Sequence, residues 1–252
     1  MSRREYFFVE PDQVIWQSGV ATELYIRGEE HHHLTRVLRH QPGDRIFAVD
    51  GRGMFYAGTI ETITKAFSRV RIEKVEPRHG EPRFQLTLAV GLPRLSRFEW
   101  LLEKVVEIGV VGVVPIISRY TVVKPETKKM SRWRNIARAA MKQCGRSVLP
   151  EIQPPMSLEA LWQQVEHFDV RIIAHAPLPP QARPFGAGEQ SAPQGTSGLL
   201  LVGPEGGFAP EEVQKAIDGG FQFLSLGGRR LRTETAGVVA SALILHVLDE
   251  IQ

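Results

Sequence analysis

The sequence predicts an α/β protein in two parts, a small β-rich domain over residues 1–76 and a larger parallel-sheet domain over residues 77–252. Three observations carry this. Short runs rich in β-branched and aromatic residues fill the first part. From Phe84 onward, apolar strand-like runs alternate with amphipathic helical ones, the pattern of a parallel sheet. Finally, two glycine-rich turns, Gly203-Pro204-Glu205-Gly206-Gly207 and Leu226-Gly227-Gly228, each follow an apolar run and precede a helix-like one.

In chain order, strands are expected at Tyr6 to Val9, Glu23 to Arg27, Arg45 to Val49, Met54 to Ile63 and Ser68 to Val75. Asp50-Gly51-Arg52-Gly53 has the composition of a tight hairpin turn between two of them. One short helix, about Glu29 to Arg39, interrupts, with Leu34, Val37 and Leu38 on one face at i, i+3, i+4 spacing. Short strands with turns between them suggest a small barrel. A polar stretch from Pro77 to Pro82 marks the boundary. Beyond it come a strand at Phe84 to Val90 and a helix at Phe98 to Ile108, with Leu101, Leu102, Val105 and Ile108 sharing a face. A strand at Val110 to Ile117, a helix at Arg132 to Cys144 and a strand at Val170 to Ala174 follow. The chain closes with strands at Leu199 to Val202 and Phe221 to Leu226 and an apolar helix at Thr235 to Leu248. Residues 177–198 hold five prolines and little apolar content, and read as a flexible surface loop.

The 252 residues, 42% of them hydrophobic, suffice for a sizeable core and exclude global disorder. A net charge of +3 with a pI near 9.1 is a mild basic bias, compatible with a nucleic-acid partner. The single cysteine, Cys144, excludes a disulfide framework and favours a reducing compartment. The first residues lack the apolar core of a signal peptide, and no apolar run approaches the roughly 18 residues of a membrane span. A soluble cytoplasmic protein is expected.

Glycine permits sharp turns and close ligand approach. Two such turns at the carboxyl ends of neighbouring strands would build a ligand crevice, although a tight turn without a ligand explains either one alone. The first turn lacks the dinucleotide-binding glycine spacing, and no phosphate-binding Gly-Lys-Ser/Thr follows it. His31-His32-His33 cannot converge on one metal ion, because adjacent helical side chains diverge by about 100°. They are expected on the surface or facing RNA, and no metal site is expected. Arg36 and Arg39, three apart on the short helix, together with Arg3 and Arg4 before the first strand, form either a solvated face or a phosphate-contacting stripe. Arg229, Arg230 and Arg232 crowd beside Glu234, where Thr233 is placed to cap the last helix.

At these residues the chain resembles the RsmE family of bacterial 16S rRNA uridine-N3 methyltransferases, in the SPOUT superfamily. Gly-Pro-Glu-Gly-Gly followed by Leu-Gly-x-Arg-x-Leu-Arg-Thr-Glu-Thr-Ala carries the likeness. His33 with Arg36 to Arg39, Glu103 to Val110, and Gln143-Cys144-Gly145-Arg146 with Pro150 extend it over nearly the whole chain. Two departures stand out. Arg230 occupies a place where the family usually has Ile or Val, and Ser118-Arg119-Tyr120 replaces a common Ser-Glu-Arg. The long proline-rich loop resembles an insertion.

The resemblance implies an N-terminal PUA-like β-barrel that helps hold RNA, a C-terminal SPOUT domain whose parallel sheet contains a deep trefoil knot, and a homodimer. It implies S-adenosylmethionine as cofactor, with no metal, and the small ribosomal subunit or its 16S rRNA as partner. Ala174 and His175, then Gly203, Pro204, Glu205, Gly206 and Gly207, then Leu226, Gly227, Leu231, Thr235 and Ala236 are the implied cofactor residues. Backbone groups near Leu226 and Leu231 would read the adenine edge. Arg4, Arg36, Arg39, Arg146 and Arg230 are the candidate RNA contacts. Uracil N3 carries a proton, so an arginine near the uracil carbonyls would stabilise the developing anion. Arg232 is that candidate, with Glu234 or Glu205 as orienting or proton-accepting carboxylates. An RNA-binding protein that does not transfer methyl groups, and an enzyme of the same superfamily acting on another nucleotide, are the rival readings.

Overall fold

The computed structural model describes residues 5–123, 129–186 and 196–251. Contacts divide the chain into two units, Met1–Glu81 with Arg138–Leu149, and Pro82–Ala137 with Pro150–Gln252.

The first unit holds β1 (Tyr6–Phe8), β2 (Val14–Gln17), β3 (Val20–Arg27), the short helix α1 (Gly28–His32), β4 (Arg45–Val49), β5 (Met54–Ile63) and β6 (Phe67–Pro77). They form one six-stranded sheet in the order β1-β4-β5-β6-β3-β2. Only β1 with β4 is parallel; the other pairs are antiparallel. The expected hairpin joins β4 to β5. The Asp50 carboxylate accepts from the amides of Arg52 (2.8 Å) and Met54 (3.0 Å), while Gly51 and Gly53 take positive φ. Leu24, Ile26, Leu34, Ile46, Tyr56, Ile60 and Val70 fill the core beneath the sheet.

The short helix departs from expectation. After α1 it continues as a π-helical turn, His33–Val37. The wider turn breaks the i, i+3 alignment that would bury Val37 with Leu34. Leu34 is buried, whereas Val37 is 58% exposed. Strand β2 was not expected; three of its four residues are exposed, so it lacks an alternating pattern.

The second unit is built on β7 (Gln85–Gly91), helix α2 (Leu95–Ile108), β8 (Gly112–Ile117), helix α3 (Met130–Cys144, which ends in the first unit), β9 (Glu151–Ile152), β10 (Met156–Ser157), helix α4 (Leu158–Trp162), β11 (Val170–Ala174), β12 (Arg183–Pro184), β13 (Ser197–Val202), helix α5 (Pro210–Asp218), β14 (Gln222–Leu224) and helix α6 (Thr233–Val247). Every pairing in its sheet is parallel. The order is β10-β8-β7-β13-β11-β14-β12, with β9 beside β8. Apolar runs such as Leu199-Leu200-Leu201-Val202 are buried throughout, as strands covered on both faces require.

Two expectations change here. The strands that carry the glycine turns, β13 and β14, are not neighbours, because β11 lies between them and pairs with both. The proline-rich segment is also not all loop, since Arg183–Pro184 pairs with β14. Its residues 187–195 fall outside the described ones.

Register is fixed at the strand starts. The Asp169 carboxylate, just before β11, accepts from the amides of Thr196 (2.9 Å) and Ser197 (3.0 Å) at the start of β13. These bonds hold its carboxyl below the usual aspartate range.

Candidate functional site

The strand register places three chain ends at one level. Ala174 pairs with both Val202 and Leu224, so β11, β13 and β14 finish together. The residues that follow them emerge on the carboxyl edge of the sheet, where open α/β sheets bind ligands. Ala174–Pro177, Val202–Phe208, Ser225–Leu231, Thr233 and Ala236 line a crevice of about 740 Å³. Glycine, alanine and proline recur in its lining, beside His175, Glu205, Phe208, Arg229 and Arg230.

The first turn is closed by the Gly207 amide donating to the Pro204 carbonyl at 2.8 Å, with Gly207 at φ 76°. It packs closely on β7, where a Cβ at Gly91 would come within 2.3 Å of the Pro204 nitrogen. Gly91 is therefore part of the site's construction, a role invisible in the motif itself. A Cβ at Gly203 would meet Gly207 and Phe208 at 3.2–3.3 Å. Its bare Cα thus serves the turn's own closure, and Gly203 also lines the crevice. At Gly207 and Gly227, both with positive φ, a Cβ would meet nothing within 4 Å. There the backbone is presented openly.

Thr233 was expected to cap α6. The cap position falls instead on Arg232, whose side chain makes no capping bond, and the helix begins at Thr233. The Thr233 hydroxyl donates to the Gly203 carbonyl at 3.1 Å. It thereby ties the start of α6 to the first glycine turn.

His175 follows β11. Its amide donates to the Leu224 carbonyl at 3.1 Å, and burial holds its imidazole below the usual histidine range. It is therefore neutral near pH 7.

Of the implied cofactor residues, Thr235 alone does not line the crevice; it lies in the first turn of α6. Among the carboxylates, Glu205 lines it, whereas Glu234 is buried and does not. Arg97, from the first turn of α2, lies 3.6 Å from each of them. The second oxygen of Glu234 is buried with no hydrogen-bond partner among the described residues. Nothing local in the sequence marks Arg97, because its partners lie far along the chain. Arg232 is exposed and does not line the crevice, whereas Arg229 and Arg230 do.

The candidate RNA contacts divide. Arg36 is exposed on the π-helical turn. Arg39 is exposed beyond it, at φ 58°, so the two do not share a helical face as expected. Arg146 corrects the expectation of an RNA contact. It is 2% exposed, and its guanidinium donates to the Glu81 carboxylate at 2.7 Å. Glu81 also accepts from the amides of Ser147 and Val148, so the arrangement holds a segment in place. Arg4 lies outside the described residues. His31, expected on the surface or facing RNA, is buried with its Nδ1 2.9 Å from the Ser68 hydroxyl; His32 is exposed. Among the described residues no cluster has the makings of a metal site, and no helix is long and apolar enough to cross a membrane.

Residues 80–245 match the family described as RNA methyltransferase domain, and residues 26–73 match the RNA methyltransferase PUA domain. The chain is 31% identical, over 90% of its length and 91% of the relative's, to the ribosomal RNA small subunit methyltransferase E of Bacillus subtilis. It is similar to the crystal structure of that enzyme from Neisseria gonorrhoeae bound to S-adenosyl methionine, with a TM-score of 0.81, 27% identity, and coverage of 97% of this chain and 98% of that one. A probable rRNA-methyltransferase from Porphyromonas gingivalis superposes with a TM-score of 0.79 at 36% identity, covering 97% of this chain and 98% of that one.

Proposed function

The chain belongs to the ribosomal RNA small subunit methyltransferase E family, and from that premise we propose that it methylates N3 of a uridine in 16S rRNA. The observation that carries the reading is the glycine-rich crevice at the joint ends of β11, β13 and β14.

The residues present suit S-adenosylmethionine. The crevice volume lies in the range of cofactor sites. The open Cα positions of Gly207 and Gly227 let an adenine edge approach the main chain of the two turns closely, with Leu226 and Leu231 beside it. A neutral His175 puts no positive charge beside a cationic ligand. When bound, the cofactor supplies a methyl group activated by a sulfonium charge.

The protein's own task is to position the base and manage one proton. N3 lies on the Watson–Crick edge, so the uridine enters unpaired. Glu205, which lines the crevice, would accept the proton that N3 gives up. Arg97 holds Glu205 and Glu234 in register from α2. Arg232 does not line the crevice; exposed at the N-terminus of α6, it would meet the uracil as the base arrives from solvent and stabilise the charge developing on it, and the helix end would add to its field.

The exposed stripe Val239, Leu243 and Val247 on α6, at i, i+4, i+8, with Trp100 on α2, supports a homodimer. The exposed Arg36 and Arg39 support an RNA-gripping first unit. The parallel order, with β11 inserted between β13 and β14, suits the knotted topology of the SPOUT superfamily, and we place the protein in the cytoplasm with its ribosomal substrate.

The test is mass mapping of 16S rRNA from a strain lacking the protein, beside single-turnover methylation in vitro. One uridine should lose an N3 methyl group in the strain and regain it with the purified protein. Arg232→Lys should slow turnover, and Arg232→Ala should slow it by about 10²–10³, with cofactor affinity retained. An unchanged methylation pattern refutes the reading. A near-normal Ala variant moves the charge-stabilising role away from Arg232.

A further inference from the structure

Against the first glycine turn, whose residues line the crevice, stands a large aromatic side chain that nothing above uses. Tyr120 follows β8 and is 44% exposed. Its position is built rather than incidental. A Cβ at Gly206 would come within 2.8 Å of the Tyr120 Cβ, so the bare Cα of Gly206 lets the tyrosine sit against the first glycine turn. Gly206 itself lines the crevice.

The turn that carries the ring is tied on both sides. The Ser118 amide donates to the Thr121 hydroxyl at 2.9 Å, and the Thr121 amide donates to the Ser118 carbonyl at 3.1 Å. The Arg119 amide donates at 2.9 Å to Glu212, which also accepts from the Ala209 amide at 2.8 Å. The segment is thus locked to the loop that runs from the glycine turn into α5. An exposed ring usually loses conformational freedom on contact; here the backbone beneath it is already fixed.

We propose that Tyr120 is a stacking platform for the target base, a positioning residue that holds the unpaired uracil at the crevice mouth. The proposal rests on the RNA-methylating reading of the crevice. The surroundings suit a single-stranded nucleic acid. Arg229 and Arg230 line the crevice together with Gly206, on which Tyr120 packs, and aromatic faces combined with cationic side chains are how proteins hold unpaired nucleotides. The tyrosine lies on the β8 turn, whereas the apolar stripe that suits a second copy lies on α6 and α2.

The test compares full-length wild type, Tyr120→Ala and Tyr120→Phe in steady-state methylation of 16S rRNA or small subunits. Calorimetry of S-adenosylmethionine binding and sedimentation accompany it. Losing one base stack should raise the RNA KM of the Ala variant about tenfold or more. The Phe variant, which keeps the ring, should stay near wild type, and cofactor affinity should be equal in all three. An unchanged KM for Tyr120→Ala, a Phe variant as impaired as Ala, or a dimer that dissociates in the Ala variant would each overturn the platform. Wild type that transfers no methyl group to RNA would instead bring down the functional reading itself.

Discussion

At the scale of single residues, the site works by what is withheld as much as by what is present. Gly91 and Gly206 give up a Cβ so that Pro204 and Tyr120 can approach, and His175 gives up its charge. The last has a measurable consequence. Burial lowers the His175 pKa in the folded protein, so the unfolded chain takes up the proton first. Its contribution to stability is complete above the ordinary histidine range, near 6.5, and declines as the pH falls below it. Protonation would also place a positive charge in the wall of a crevice that is to hold a cationic cofactor. Cofactor affinity, followed by calorimetry from pH 8 to pH 5, should therefore weaken toward acid, and His175→Asn should flatten that limb. An acid limb unchanged in His175→Asn would assign it to another group. Sequence reasoning reached the glycines of both turns, because glycine at a strand end carries a mechanism. It could not reach Arg97, whose meaning depends on two carboxylates distant in sequence.

At the scale of elements, the sequence was most legible where a period was sustained. Helix α2 and the strands β4, β5, β7 and β8 lie close to the expected spans, because their apolar residues repeat at 3.6 or form continuous buried runs. It was least legible where local geometry changes pitch. The π-helical turn exposes Val37 and carries Arg39 past the helix end, and neither has a local sequence signature. Arg36 and Arg39 nonetheless both remain exposed. If they meet separate phosphates, replacing both with Ala should weaken RNA binding and flatten its salt dependence by up to about 2 units of slope. Cofactor affinity should be unaffected. RNA titrations over a range of salt concentrations would check this, and a slope equal to wild type would leave the two arginines as solvated surface.

At the scale of the whole molecule, the stripe Val239, Leu243 and Val247 on α6 leaves apolar surface exposed in the single chain. Leu243 sits at its middle and is exposed in the single chain. Leu243→Glu should leave folding intact and yield a monomer in sedimentation. Wild type that already sediments as a monomer would remove the homodimer from the proposal. The strand order was only partly legible, because periodicity reports that a strand is buried and not which strands flank it. The insertion of β11 between β13 and β14 therefore became visible only in the sheet. That insertion carries a consequence for the chain as it is made. A ribosome releases β11 well before either strand that will flank it, and Thr233, which fastens the first glycine turn, comes later still. No nascent chain stopped short of α6 can own a finished crevice. The capacity to hold a cofactor thus waits on α6, and cofactor binding certifies that translation has passed it.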